Sequence, residues 1–329
     1  MSRLVVIGAG AWGTALAMVA RRAGSEVVVW ARDPAIAEAI GRHHRNPVYL
    51  PDIVLDPAIA ATAHFEPAVA GADAAVIAVP AQFLRAALVM FGAHLPPALP
   101  LLLCAKGIET GSLMTMSELV GALHPENPLA VLSGPSFAAE VARDLPTAVT
   151  IAGRPPAAAR FFAAALGSPR FRPYLSEDPV GVEIGGAVKN VLAIACGIVD
   201  GLGLGDNARA ALITRGLAEM TRLGVAKGAR AETFAGLSGL GDLVLTCGGA
   251  QSRNHALGVA LGRGESLDAA LAGRRSVVEG VASAASVAAL AARLGVEMPI
   301  AAAVDAVLHR GKAIAPAIEE LLARPRRSE

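Results

Sequence analysis

The sequence predicts an α/β protein in which a doubly wound, mainly parallel sheet fills the N-terminal part and an all-helical domain follows. Three observations predict it. Over the first half, short β-branched runs alternate with Ala-rich helical stretches, the pattern of strands joined by helical crossovers. The strand runs are hydrophobic without interruption, as strands covered on both faces are. Past about Glu177 the strand signals stop, and the remainder reads as helices parted by Gly-rich turns. The 329 residues suffice for two domains of about 150 each. The division is expected near residue 180, giving domains 1–180 and 181–329.

The first strand is "LVVIG" (4–8), and it runs directly into a helix through Gly8, Gly10 and Gly13, a G-x-G-x-x-G spacing. Gly8 permits the tight turn, Gly10 lets the backbone approach a pyrophosphate, and Gly13 lets helix and strand pack closely. The helix N-terminus offers its free N–H groups and positive dipole end to phosphates. The second strand, "EVVVW" (26–30), completes the βαβ context, so a Rossmann-like dinucleotide-binding sheet is expected. After it come Ala31, Arg32 and Asp33. Arg32 is placed to meet a 2′-phosphate, whereas Asp33, 20 residues after Gly13, could serve an unphosphorylated ribose. NADP(H) is therefore the preferred cofactor, with NAD(H) possible. The remaining strands are "AAVIAV" (74–79), "LLLCA" (101–105), "AVLSG" (130–134), "AVTIAG" (148–153) and "FRPYL" (171–175). Lys106 stands just past one strand end and Gly134, Ser136 and Ala138 past another, where open α/β sheets place ligands.

In the helical half, "EIGGAVKNVLAIACGIVDGL" (183–202) is apolar almost all round, yet carries Lys189 at its middle. At helical spacing its neighbours are Gly185, Gly186, Leu192 and Ala193, and Glu183 lies on another face. Such a lysine loses hydration and responds by lowering its pKa. Further on, Asp242 follows a Gly-rich turn, and Ser252, Arg253 and Asn254 open the next helix. An arginine between Ser and Asn at a helix start suits a phosphate monoester. Plainer readings stand beside these: packing glycines, a solvated Arg32, a surface Lys106, a Pro-containing turn at Gly134, N-caps at Ser252 and Asn254, a Lys189 that snorkels to water.

Other classes are disfavoured. Lys plus Arg number 29 against 28 Asp plus Glu, so no net field draws nucleic acid or an anionic membrane. There is no uncharged run of strongly apolar residues long enough for a stable membrane span. Residues 4–20 are uncharged and hold an A-x-A, but the glycines break this signal-like core. The odd, scattered cysteines Cys104, Cys196 and Cys247 suggest inert thiols in a reducing cytoplasm. The histidines show no metal-ligand spacing, so no metal is expected. "GLSGL" (236–240) lacks the last glycine of a hydrolase elbow. The end, "ARPRRSE", reads as a frayed basic tail.

Taken in order, "GAGAWGTALA", "AKGIE", "LSGPSFAAEV", "AVKNVLAIACGIVDGL", "LSGLGDLVLTC" with "SRN", "VVEG" (277–280) and "GVEMPI" (295–300) make the chain resemble, over nearly all its length, the bacterial NAD(P)-dependent glycerol-3-phosphate dehydrogenases. The resemblance implies reversible reduction of dihydroxyacetone phosphate to sn-glycerol 3-phosphate for phospholipid synthesis, in a cytoplasmic homodimer. It implies Lys189 as the catalytic acid and base. Lys106, Gly134, Ser136, Asp242, Ser252, Arg253 and Asn254 would contact the small phosphate substrate. Gly8, Gly10, Ala11, Trp12, Gly13, Arg32, Tyr49, Lys106, Ala138, Arg253, Val277 and Glu279 would line the cofactor site. Asn190 and Thr246 match positions near the substrate in the wider family. Small residues around Lys189 are expected to leave room for ligand. Ala11 stands where many relatives carry Ser, and "GGAQ" (248–251) is looser than the family pattern. The competing readings are a two-domain dehydrogenase of a hydroxy acid or acyl thioester, and a non-catalytic NADP sensor.

Overall fold

The computed structural model describes residues 2–273 and 277–325. The last four residues of the basic terminal segment, 326–329, lie outside the described residues. The chain begins β1 (Arg3–Ile7), α1 (Ala11–Arg22), β2 (Glu26–Trp30), α2 (Pro34–His43), β3 (Arg45–Asn46), β4 (Leu50–Val54), β5 (Ala60–Thr62). It continues α3 (Phe65–Val69), β6 (Ala74–Ile77), α4 (Leu84–Phe91), β7 (Leu101–Leu103), α5 (Met116–Leu123), β8 (Leu129–Ser133), α6 (Ala138–Ala142), β9 (Thr147–Ala152), α7 (Ala157–Leu166) and β10 (Phe171–Ser176). Helices follow: α8 (Pro179–Gly201), α9 (Asp206–Ala226), α10 (Asp242–Gly248), α11 (Arg253–Gly262), α12 (Leu267–Leu271), α13 (Glu279–Leu294), α14 (Pro299–His309) and α15 (Ile314–Leu322).

Eight strands form one sheet in the order β10-β9-β8-β7-β6-β1-β2-β5. Every pairing in it is parallel except β8 with β9. Along β1, Leu4 and Val6 enter one apolar core and Val5 and Ile7 the other, so both faces are covered by helices. The expectation of two covered faces fails at β10. Tyr174 and Leu175 there are about half exposed, because β10 is an edge strand, and Pro173 has no N–H to offer a further neighbour. The short strands β3, β4 and β5 carry no hydrophobic run and were not expected; β3 and β4 pair as a small antiparallel hairpin.

Helix α8 is the axis of the second core. Asp178 caps it, accepting the Gly181 N–H at 3.0 Å, and residues 181–199 are buried without a break. It is long and apolar enough to cross a membrane, yet it is enclosed by α9, α10, α11, α13 and α14. The tightest of these contacts is with α11: a Cβ on Gly197 or Gly201 would overlap the α11 backbone, and one on Gly258 or Gly262 the α8 backbone. The segment after β7 crosses over to this core, where Ile108 and Leu113 are packed.

Candidate active site

Strands β1, β6, β7 and β8 are parallel, so their C-terminal ends share one edge of the sheet, and strand order reverses at β1. A crevice forms at such a reversal. Gly8 ends β1 at φ +114°, and a Cβ there would lie 2.8 Å from the Ala78 carbonyl oxygen. A side chain on Gly13 would overlap the Gly8 carbonyl, so α1 sits directly on the turn. Around Gly10, by contrast, a Cβ would meet nothing within 4 Å. Gly10 is the N-cap of α1; no side chain caps the helix, and its first turn holds no acid. Uncapped N–H groups beside open space and away from negative charge fit the pyrophosphate of a dinucleotide. Ala11 and Trp12 begin the helix at this opening.

Arg32 is exposed where β2 ends. Asp33 caps α2, its Oδ1 accepting the Ala35 N–H at 2.9 Å. Asp33 is thus engaged as a cap, while Arg32 is exposed beside it. Tyr49 is partly buried in the β3–β4 turn, Ala138 opens α6, and Val277 is exposed two residues before Glu279 opens α13. Burial holds the Glu279 carboxyl above its ordinary range against the opposing charges of Arg253, Lys106 and Lys189.

The charged centre lies along the same edge beyond β6, past the ends of β7 and β8. Lys189 Nζ donates to Asp242 Oδ1 at 2.5 Å and to Thr246 Oγ1 at 3.0 Å. Lys106 Nζ donates to the other oxygen, Oδ2, at 2.7 Å and to the Gly134 carbonyl at 3.1 Å. Gly134 presents that carbonyl from φ +135°, a conformation side chains resist. Ser136 Oγ donates to the same carbonyl at 3.0 Å. The buried lysine, which has no acid within its own helical turn, therefore receives its partner from α10. A π-helical turn, Leu237–Gly241, delivers Asp242, and Gly239 lets that turn close against the Phe234 backbone.

Burial drives the Lys189 pKa down, Asp242 resists and Lys106 adds to the fall, leaving it at about 8. Burial alone would raise the Asp242 carboxyl, but the two lysines hold it below its ordinary value. Two ammoniums share one carboxylate, so the trio keeps a net positive charge. The expectation that small residues leave ligand room beside Lys189 is corrected. A Cβ on Gly185 would overlap the Ser238 carbonyl, and one on Gly186 would lie 3.0 Å from Ser133 Oγ and 3.3 Å from Lys106 Cγ. These glycines admit the π-turn and the Lys106 stem, the very elements that supply the lysine's neighbours.

From Lys106 a ladder of amides leads to the predicted phosphate end. Asn190 Nδ2 donates to the Lys106 carbonyl at 3.3 Å, and Asn254 Nδ2 to Asn190 Oδ1 at 2.8 Å. Asn254 Oδ1 in turn accepts the Gly280 N–H at 3.0 Å. Ser252 is the N-cap of α11, accepting the His255 N–H at 3.2 Å, and Arg253 is exposed as the first residue of that helix. The plain capping reading thus holds for Ser252, while Asn254 is a buried bridge. The three cysteines are free and buried; burial pushes Cys104 up to about 12. Cys247 is raised by a hydrogen bond with Cys196 and by burial, so two cysteines far apart in sequence are neighbours.

A glycine turn fitted to a pyrophosphate, with paired lysines on the same sheet edge, is the arrangement of a dehydrogenase that uses a nicotinamide dinucleotide. Residues 3–159 match the model of the NAD-dependent glycerol-3-phosphate dehydrogenase N-terminus, and residues 178–319 match that of its C-terminus. The chain belongs to this family. It is 57% identical over 329 residues to a glycerol-3-phosphate dehydrogenase [NAD(P)+] of Rhodospirillum rubrum, covering 100% of this chain and 94% of that one. It is 56% identical to that of Caulobacter vibrioides, with 98% of each chain covered. The crystal structure of glycerol-3-phosphate dehydrogenase from Coxiella burnetii superposes with a TM-score of 0.94 at 39% identity, over 98% of this chain and 99% of that one.

Proposed function

We propose that the protein reduces dihydroxyacetone phosphate to sn-glycerol 3-phosphate, reversibly, with Lys189 as the proton donor. Relatives at 57% and 56% identity over nearly the whole chain are named glycerol-3-phosphate dehydrogenase [NAD(P)+]. The observation that carries the mechanism is the Lys189–Asp242–Lys106 trio at the edge where the glycine turn opens. The glycine turn Gly8–Gly13 would hold the dinucleotide, whose chemistry when bound would be hydride donation at the substrate carbonyl carbon. Negative charge then grows on the carbonyl oxygen, where a preorganised ammonium stabilises it and gives up its proton. Lys189 leaves the step neutral and regains a proton from solvent. In the oxidative direction the neutral amine takes the hydroxyl proton. A lysine pKa of about 8 lets both forms be populated near neutral pH.

Asp242 acts chiefly by holding both lysines, since each of its oxygens already accepts from one of them. The net positive charge of the trio suits an oxyanion and a phosphate dianion. Lys106, Gly134 and Ser136 would orient the carbonyl end, and Ser252, Arg253 and Asn254 the phosphate. Gly8, Gly10, Ala11, Trp12, Gly13, Arg32, Tyr49, Ala138, Val277 and Glu279 would frame the dinucleotide. The exposed Arg32, with Asp33 engaged as a cap, supports NADPH as the preferred donor with NADH accepted. We divide the chain near residue 180, between the end of β10 and the start of α8. A homodimer and a cytoplasmic location complete the reading; three free thiols support a reducing compartment. The product would feed glycerophospholipid synthesis. Loss of nicotinamide absorbance with NADPH and dihydroxyacetone phosphate tests this reading. Turnover is expected with that substrate and not with a 2-keto acid or an acyl thioester; cofactor binding without turnover would contradict it.

A further inference from the structure

Asn46 is fully buried in the β3–β4 hairpin, in a segment without any sequence motif. Its Nδ2 donates to the Ala9 carbonyl at 2.9 Å and to Thr14 Oγ1 at 2.9 Å. Its Oδ1 accepts the Tyr49 N–H at 3.2 Å. Both amide hydrogens are used, and because the Ala9 carbonyl can only accept and the Tyr49 N–H can only donate, the orientation of the carboxamide is fixed. Ala9 lies between Gly8 and Gly10. In a trans peptide the carbonyl of Ala9 and the N–H of Gly10 point in opposite directions. Pinning the carbonyl on Asn46 therefore turns the Gly10 N–H away from the hairpin.

We infer that Asn46 is a positioning residue for the dinucleotide: it fixes the peptide plane of the glycine turn, the first turn of α1 and the Tyr49 backbone relative to one another. The inference rests on reading that turn as the cofactor site. The hairpin that carries Asn46 is itself anchored, with Leu50 and Ile53 buried in the core and the Leu55 N–H bonded to the His44 carbonyl at 2.9 Å. A buried acceptor that loses its shorter donor is destabilised, and here the Ala9 carbonyl, part of the turn itself, would keep only the 3.5 Å bond from Thr14 Oγ1.

The test is Asn46→Asp, the same shape with a carboxylate oxygen in place of the amide nitrogen and its two hydrogens, set against Asn127→Asp, which makes the same exchange elsewhere. Asn127 is also buried and donates to two backbone carbonyls, those of Pro96 and Leu99, in the connection before β7. NADPH is titrated without substrate, by quenching of tryptophan fluorescence, and thermal stability is recorded in parallel. Asn46→Asp is expected to raise the NADPH Kd about tenfold or more. At saturating NADPH, kcat and the KM for dihydroxyacetone phosphate should stay within about twofold of wild type. Asn127→Asp should lower stability and leave the Kd unchanged. Equal Kd values for wild type and Asn46→Asp, or equal increases in the two variants, would overturn the inference. If Asn46→Asp does not fold, Thr14→Val should weaken NADPH binding and Thr14→Ser restore it; no difference between them would overturn it as well. A wild-type protein that fails to bind NADPH would instead refute the cofactor reading beneath it.

Discussion

Between Gly181 and Asn190 helix α8 faces the sheet edge and the π-turn, whereas between Gly197 and Gly201 it faces α11. Both stretches are buried, save the partly exposed Asp200 and Gly201, and both use glycine to bring another backbone close. In the first, what comes close carries charge: the Lys106 stem, and the turn that leads into Asp242. In the second it is only another helix. The difference teaches that one apolar helix can serve as a rigid mount at one end and a reactive platform at the other. Removing one partner of a buried ion pair costs about 3–5 kcal/mol, so the platform holds only while the mount keeps the pieces in register.

The largest effect is expected from breaking the platform alone. Lys189→Ala should lower kcat by about a hundredfold to ten-thousandfold while the NADPH Kd stays within about twofold, measured by steady-state turnover and titration. Breaking the mount is next. Gly197→Ala gains about 1 kcal/mol of helix propensity, but its Cβ would overlap the His255 carbonyl. Backbone cannot move aside as a side chain can, so overpacking should win with a net loss of about 1–3 kcal/mol, read from denaturant midpoints. An effect of similar size, but confined to a pH window, concerns Glu183, on the platform stretch but away from its charges. It accepts the Ser117 N–H at 2.7 Å and Oγ–H at 2.5 Å, and burial pushes its pKa up to about 7 from an ordinary 4.5. The folded protein then binds more protons than the unfolded chain between about pH 4.5 and 7, so Glu183 lowers stability as pH rises through that window. Glu183→Gln should remove about 1–3 kcal/mol of that decline, seen as a smaller stability difference between the two pH values. Glu219, also raised to about 7 by burial, should keep the remainder.

The sheet was legible because β1, β2, β6, β7, β8 and β9 carry the unbroken apolar runs that two covered faces require. β10 reads with them although Arg172 and Pro173 interrupt its run, and that proline is the signal of its edge position. β3, β4 and β5 lack any periodic signal, and with them Asn46 was invisible; its role comes from which carbonyl it reaches. In the site, the glycine turn and Lys189 stood out as local patterns. The partnership of Lys189 with Asp242 spans 53 residues, and only the π-turn brings it about. The close crossing at Gly197, Gly201, Gly258 and Gly262 did have a signal, glycines four apart in two helices, in "GIVDG" and "GVALG".

The most direct measurement of the central claim is the pH dependence of kcat/KM in both directions, for wild type, Asp242→Asn and Lys189→Ala. Reduction needs the ammonium and should decline as pH passes about 8, while oxidation of glycerol 3-phosphate needs the neutral amine and should climb through the same pH. Asp242→Asn removes the carboxylate that opposes burial, so both limbs should move to lower pH. In Lys189→Ala both limbs should vanish from the residual rate. If the limbs persist unchanged without Lys189, the proton is carried by another group and the account of the trio is wrong.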